Sequence, residues 1–151
     1  MEIFEFFVDF TDALLLRQLG FDWDISTCYR VDEVNEKAAE VYMYCKPFNW
    51  NMSRDLYEKY GSDNIFHAFI HENEEQIECI SAPTLDLVQR WLRDIHKLYI
   101  IILPISNKWS FRIEDTQQLK DEIYNGEDFE TYEDAQETAI KKCLELLQCK
   151  K

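Results

Sequence analysis

The chain has 151 residues, enough for about one domain, and 46% of them are apolar, so a hydrophobic core is expected. Its formal charge of −14 opposes binding to nucleic-acid phosphates and to anionic membrane surfaces. Residues 1–80 carry −11 of this charge and residues 81–151 carry −3. Two interpretations stay open: the charge solubilises the chain, or it forms an acidic surface for a basic partner.

The cysteines and the apolar segments predict a cytoplasmic protein. The number of cysteines is odd and none forms a C-x-x-C motif, which favours reduced thiols over disulfides or a zinc site: Cys28, Cys45, Cys79, Cys143 and Cys149. The first ten residues, MEIFEFFVDF, lack the basic start of a signal peptide. The longest apolar run, LYIIILPI, is too short to span a bilayer.

The first half of the chain predicts one helix and two or three strands. TDALLLRQL (11–19) reads as a short buried helix, with Thr11 as N-cap and Gly20 after its end. STCYRV and AEVYMYC read as strands on either side of an acidic turn. Residues 46–78 are the least regular part, and NEEQIECI adds one more short strand before Ser81.

The second half gives clearer patterns. SAPT supplies a helix start, and apolar residues from Leu85 to Ile95 then recur at three- and four-residue steps. Leu98–Leu103 is apolar on both faces, which predicts a central strand that is covered on both sides and that Pro104 ends or interrupts. The alternating segment WSFRIE completes a hairpin with it.

The end of the chain predicts a strand and a helix. A short edge strand is expected around Ile123, and TYED is a capping-box pattern with Thr131 as cap. The expected fold is therefore α+β, an antiparallel sheet with helices packed against it, in which the C-terminal half runs α-β-β-(β)-α. No linker divides the chain, so we expect a single domain over residues 1–151.

Two long segments of the sequence resemble a known group of proteins. SAPTLDLVQRWLRDIHKLYIIILPISNKWSFRI, followed by FETYEDAQETAIKKCLELL, is similar to small proteins of phages, prophages and mobile elements of gut Bacteroidales. The segment LLLRQLGFDWDISTCY also resembles their N-terminal region, and AQETAI departs from their usual small-residue stretch. The resemblance implies a phage-linked origin and no catalytic residues, since that group has no assigned function.

The order helix–strand–strand–strand–helix is also similar to the double-stranded-RNA-binding module. That module grips phosphates with basic residues at the start of its last helix. Here the same position reads EDFETYEDAQE, which is strongly acidic. We therefore expect no RNA binding from this topology.

The chain has three histidines, the residue type that most often binds metals or transfers protons. On a helix, His67 and His71 share one face and form a weak candidate for a metal site, whereas on a strand they lie roughly 13 Å apart and cannot share an ion. His96 is expected to cap its helix and favour the helix dipole. No metal is expected, and a structural role is favoured for all three.

No motif in the sequence predicts an enzyme or a cofactor. A G-x-S-x-G motif, a P-loop and a dinucleotide fingerprint are all absent, and the three isolated glycines cannot build one. The thirty acidic residues are too many for any pair to be informative. A small metal- or thiol-dependent enzyme stays open as an alternative.

A cluster of aromatic residues is the expected interaction face, although the same rings suit a loop folded onto the sheet. Its members share a short irregular region: Tyr42, Tyr44, Phe48, Trp50, Tyr57 and Tyr60. The sequence thus predicts a non-enzymatic accessory protein that binds another protein, which is basic if the acidic surface is functional. A narrower alternative is an acidic DNA mimic that blocks a DNA-binding protein. Homodimerisation through a strand edge of the Trp109–Glu114 hairpin is a third.

Overall fold

The computed structural model describes residues 5–31, 41–51, 78–117, 120–125 and 127–150. Its elements are, in chain order, α1 (Phe10–Gln18), β1 (Ile25–Val31), β2 (Val41–Phe48), β3 (Glu78–Ser81), α2 (Leu85–His96), β4 (Leu98–Ile105), β5 (Lys108–Asp115), β6 (Lys120–Asn125) and α3 (Tyr132–Cys149). They fall into two compact units, one of residues 1–19 with 83–151 and the other of residues 20–82. The α+β class and the C-terminal order α-β-β-β-α are confirmed. The single domain stays a prediction.

The unit of residues 20–82 contains a three-stranded antiparallel sheet in the order β2-β1-β3. Strand β1 is central because Cys28 lies opposite Tyr42 on one side and Ser81 on the other. Cys28 and Ile80 are buried, and the Thr27 hydroxyl donates to the Ala82 carbonyl at 2.7 Å. The two predicted strands and the short third one are confirmed.

The other unit contains a second antiparallel sheet in the order β4-β5-β6, and both α2 and α3 contact it. Leu98, Ile100, Phe111 and Ile113 are buried, as expected for the face that the helices cover. Strands β4 and β5 form a hairpin with a two-residue turn, in which Ser106 has a positive φ of 53°. The predicted hairpin and the edge strand around Ile123 are confirmed.

Strand β4 differs from its prediction. Within the described part of the chain it is the outer strand of its sheet, and β5 is the central one. Pro104 does not end the pairing, because it stays in register with Trp109 and the ladder continues to Ile105. The second face of β4 is also less covered than predicted, because Tyr99 and Ile105 on that face are 37% and 45% exposed.

Helix boundaries follow local capping chemistry. The hydroxyls of Thr84 and Thr131 accept hydrogen bonds from the amides of Leu87 and Asp134, which confirms both predicted helix starts. Helix α1 is capped by Asp9 and not by Thr11, because the Asp9 carboxylate accepts from the Asp12 amide at 2.8 Å.

Helix ends also differ in part from the prediction. Gly20, just past α1, has the expected left-handed conformation with φ of 90°. The C-cap of helix α2 is Lys97, whose φ is 57°. The Lys97 ammonium donates to the Asp94 carbonyl at 2.6 Å. His96 was expected to cap this helix, but it is the last helical residue and its ring packs against Trp91 at 4.4 Å.

Among the residues that the structure describes, no helix is both long and apolar enough to cross a membrane.

Candidate functional site

Of the predicted aromatic face, Trp50 is the one residue whose side chain the structure describes. Tyr42, Tyr44 and Phe48 belong to β2, while Tyr57 and Tyr60 lie outside the described residues. Met43 of the same strand is 72% exposed. Strand β2 thus presents at least one large apolar side chain to solvent, and the contact role of its tyrosines stays a prediction.

Trp50 lies in the core of its unit. It is 2% exposed, and its indole N–H donates to the Ile25 carbonyl at 2.8 Å. The next residue, Asn51, donates to the Phe21 carbonyl at 2.9 Å and accepts from the Ser81 amide at 3.0 Å. These bonds tie the chain after β2 to the start of β1, to the segment before it and to the end of β3. The buried Trp50 ring is not available as a surface contact.

The candidate metal ligands and thiols are only partly covered by the described residues. His67 and His71 lie outside the described residues. Cys28, Cys79 and Cys143 are buried, and burial raises the pKa of the Cys143 thiol to about 12. Because the thiolate is the reactive form, Cys143 is suited to packing and not to nucleophilic chemistry. Cys149 is exposed near the end of α3.

A run of acidic residues lies at the start of α3. Residues 127–137 contain six carboxylates and no lysine or arginine. Glu127, Asp128, Glu130 and Asp134 are exposed. Acidic residues in the first helical turn stabilise the helix dipole, which explains Glu133 and Asp134 but not the three carboxylates that precede the helix. We call residues 127–134, with Asp86, Lys108 and Trp109, the α3-start surface. Lys108 is the cation of this set, and its ammonium lies 3.1 Å from Glu130.

An exposed aromatic ring lies within this surface. Tyr132 is 36% exposed and meets Trp109 edge-to-face, with ring centroids 5.4 Å apart. Phe129 holds the preceding segment in place, because its backbone exchanges two hydrogen bonds with that of Trp109. Partial burial raises the pKa of Tyr132, and the negative charges of Asp86 and Glu133 raise it further. The ring therefore lies in a negative local field.

A polar network below Tyr132 fixes the two helices to the sheet. The Gln136 amide, 3% exposed, donates to Asp86 at 2.7 Å and to the Gln89 side-chain oxygen at 2.9 Å. Gln89 in turn donates to the Ile100 carbonyl of β4 at 3.1 Å. The α3-start surface is thus built on a rigid helix–helix–strand junction.

A second acidic cluster is neutralised by a lysine. Asp9, Asp12 and Glu137 are the one group of three potential metal ligands found among the described residues. Lys141 places its ammonium 2.6 Å from one oxygen of Asp9 and of Asp12, and 3.7 Å from Glu137. Its positive charge occupies the position that a cation would need, so the cluster links α1 to α3 and is not suited to metal binding.

A shallow depression of about 240 Å³ lies at the C-terminal ends of α2 and α3, lined by Leu19, Ile95, His96, Gln117, Leu147 and Lys150. Lys150 donates to the buried Asp115 carboxylate at 2.9 Å. The lysine charge is therefore engaged in holding β5 to α3, which leaves the depression poorly equipped to bind a ligand.

No protein family, curated protein or solved structure matches the chain. The sequence already contained the signal for the α3-start surface, in the form of a run of carboxylates without lysine or arginine. Its association with Asp86 and an exposed Tyr132 depends on the fold.

Proposed function

We propose that this chain is a non-enzymatic protein that acts by binding another protein with a basic surface. The observation that carries the proposal is the α3-start surface, where the partly exposed ring of Tyr132 lies in the field of Asp86 and Glu133 and follows a run of exposed carboxylates. An arginine of a partner would find carboxylate acceptors and an aromatic face together there. Tyrosine is also among the residues that protein interfaces favour.

The position of this surface supports a protein partner over RNA. In the RNA-binding module that has the same element order, the start of the last helix carries the phosphate-binding cations. Here the same position carries Glu133 and Asp134 in the first turn. Phosphates would be repelled where that module attracts them, whereas lysine and arginine side chains would be attracted.

The resemblance to small phage and mobile-element proteins adds an accessory role in such an element to the proposal. A DNA mimic remains a narrower form of it, because a DNA-binding protein also offers a basic surface. The two forms differ in one testable property. A mimic competes with duplex DNA for the same site on its partner, whereas an ordinary protein contact does not.

The experiment is a tagged pull-down from nuclease-treated Bacteroidales lysate, followed by binding measurements with the purified partner. The test variant carries Glu127→Gln, Asp128→Asn and Glu130→Gln, all exposed and all before α3. The matched control removes three exposed carboxylates elsewhere, by Glu5→Gln, Asp22→Asn and Asp24→Asn. Binding is compared at 0.1 M and 1 M salt, where the screening length falls from about 10 Å to about 3 Å.

The proposal predicts that the test variant weakens binding at least about fivefold at 0.1 M salt, that the control variant does not, and that 1 M salt removes the difference. Equal binding by both variants would contradict the α3-start surface. A separate variant with Tyr42→Ser and Tyr44→Ser tests the predicted aromatic face of β2. Loss of binding in that variant alone would move the contact to β2.

A further inference from the structure

Strand β4 has the composition of a strand that could pair with a strand of another chain. Leu98–Ile105 reads LYIIILPI and carries no charge. Short uncharged segments of high β-propensity are hazardous at the edge of a sheet, because the backbone there can pair with another chain. In the described part of the chain β4 is the outer strand of its sheet, and Tyr99 and Ile105 are 37% and 45% exposed.

The direction of the backbone groups of β4 follows from its hydrogen bonds. The Lys97 carbonyl accepts from the Thr116 amide on the β5 side. In an antiparallel pair successive residues alternate in direction, so Leu98, Ile100, Ile102 and Pro104 direct their backbone groups away from β5. The Trp109 backbone, opposite Pro104, bonds with Phe129 and not with β4, which fits the same alternation.

At two of the four residues that face away from β5, the backbone groups are not free to pair as in a regular strand. The Ile100 carbonyl accepts the hydrogen bond from the Gln89 side chain at 3.1 Å. Pro104 has no N–H, and its position in the outward row explains how the ladder to β5 continues past it. If two copies of β4 paired antiparallel about Ile102, residue 104 of one copy would lie opposite Ile100 of the other. A regular ladder would then need a hydrogen bond from the backbone N–H of residue 104 to the Ile100 carbonyl. This bond lacks its donor, and its acceptor already takes one hydrogen bond from Gln89.

We infer that Gln89 and Pro104 close the outer edge of β4 against a second copy of this chain. Other registers that include Ile100 or Pro104 lose at least one ladder bond for the same reason. The device leaves the apolar composition of β4 available for packing against α2 and α3 while it prevents strand addition. It also argues that a homodimer through the edge of this hairpin is disfavoured, because β5 is paired on both sides.

The test uses the full chain with Gln89→Ala, Pro104→Val and both together. Association is measured by light scattering coupled to size exclusion over a concentration series, and by thioflavin binding. The double variant is expected to associate at least about tenfold more strongly than the unchanged chain, because two ladder bonds become possible in the symmetric register. Pro104→Val alone keeps the contacts of Gln89 with Gln136 and is expected to show an intermediate effect.

Two controls separate edge opening from loss of stability. Ile140→Val, at a fully buried site on α3, destabilises the unit and leaves Gln89 and Pro104 unchanged. Ile102→Pro, added to the double variant, removes the next outward N–H and is expected to restore the original association. The inference is overturned if the double variant associates no more than the unchanged chain, if Ile140→Val associates equally, or if Ile102→Pro fails to reverse the effect.

Discussion

The ammonium of Lys141 lies 2.6 Å from a carboxylate oxygen of Asp12, whose side chain is only 8% exposed. The same ammonium lies 2.6 Å from Asp9, the N-cap of α1. Burial alone would lower the pKa of Lys141, but hydrogen bonds with Asp12 and Asp9 raise it overall. This lysine therefore neutralises two carboxylates that belong to the start of another helix.

Replacing Lys141 with Met is expected to lower the free energy of unfolding by about 1–3 kcal/mol, because a buried carboxylate loses its cation while the apolar stem is retained. The range lies below that of a fully buried pair, since Lys141 is 37% exposed and water replaces part of the interaction. Urea denaturation measures the change. Lys142→Met is the matched control, since Lys142 pairs with the exposed Glu145. Equal losses in the two variants would contradict the role given to Lys141.

Divalent cations are expected to leave the stability of the unchanged chain as it is. Asp9, Asp12 and Glu137 have the oxygen ligands that Mg²⁺ and Ca²⁺ prefer, but Lys141 occupies the space between them. Thermal unfolding with millimolar Ca²⁺, with Mg²⁺ and with EDTA measures this. If Ca²⁺ raised the thermal unfolding midpoint of the unchanged chain, the cation would be displacing the Lys141 ammonium from the three carboxylates.

Alkaline pH is expected to destabilise the unit that contains α3. Burial raises the pKa of Cys143 from 9.0 to about 12, so the folded state holds a proton that the unfolded state releases. The stability from this group is complete below about pH 9 and is lost as pH rises toward 12, at roughly 1.4 kcal/mol per pH unit. Lys141, whose pKa is also raised, adds a loss in the same direction above its ordinary value of 10.5.

The measurement is urea denaturation of the unchanged chain and of Cys143→Ala at intervals from pH 8 to pH 11. Cys143→Ala is less stable at pH 8 because of the lost packing, but its free energy of unfolding is expected to fall less steeply with pH. Parallel slopes for the two chains would assign the alkaline loss to other groups.

The parts of the fold that the sequence predicted rest on local chemistry. Thr84 and Thr131 cap their helices through bonds to residues three positions away, so both starts can be read from short segments. The start of α1 could not be read in this way, because Asp9 and Thr11 are both good caps. Asp9 is favoured by its contact with Lys141, 132 residues away in the sequence.

The α3-start surface likewise combines a feature set by local sequence with one set by distant contacts. The run of carboxylates at the start of α3 is visible in the sequence, whereas the position of Tyr132 against Trp109 depends on how α3 packs on β5. The outer position of β4 was missed because periodicity does not record neighbouring strands.

Thiol labelling is expected to separate the cysteines by burial. Cys149 is exposed and should react with iodoacetamide within minutes in the folded chain, whereas Cys28, Cys79 and Cys143 are buried and should react only after denaturation. Peptide mass spectrometry of samples labelled before and after urea treatment measures the difference. Rapid labelling of Cys143 in the folded chain would contradict its burial in α3 and the raised pKa.

Replacing Trp50 with Phe tests whether this residue serves the core or a partner. Its indole N–H satisfies the buried Ile25 carbonyl, so the loss of this donor is expected to cost about 1–3 kcal/mol of unfolding free energy. Trp23→Phe is the matched control in the same unit, because Trp23 is half-buried and contacts Phe21 at a centroid distance of 6.1 Å.

Denaturant titration followed by circular dichroism is applied to both tryptophan variants, and partner binding is measured well below the unfolding transition. A core role predicts that Trp50→Phe is the less stable variant and that its folded fraction binds the partner as the unchanged chain does. A contact role predicts the reverse, with stability retained and binding lost. Since Trp50 is 2% exposed and its indole bonds to a buried carbonyl, the core role is the expected outcome.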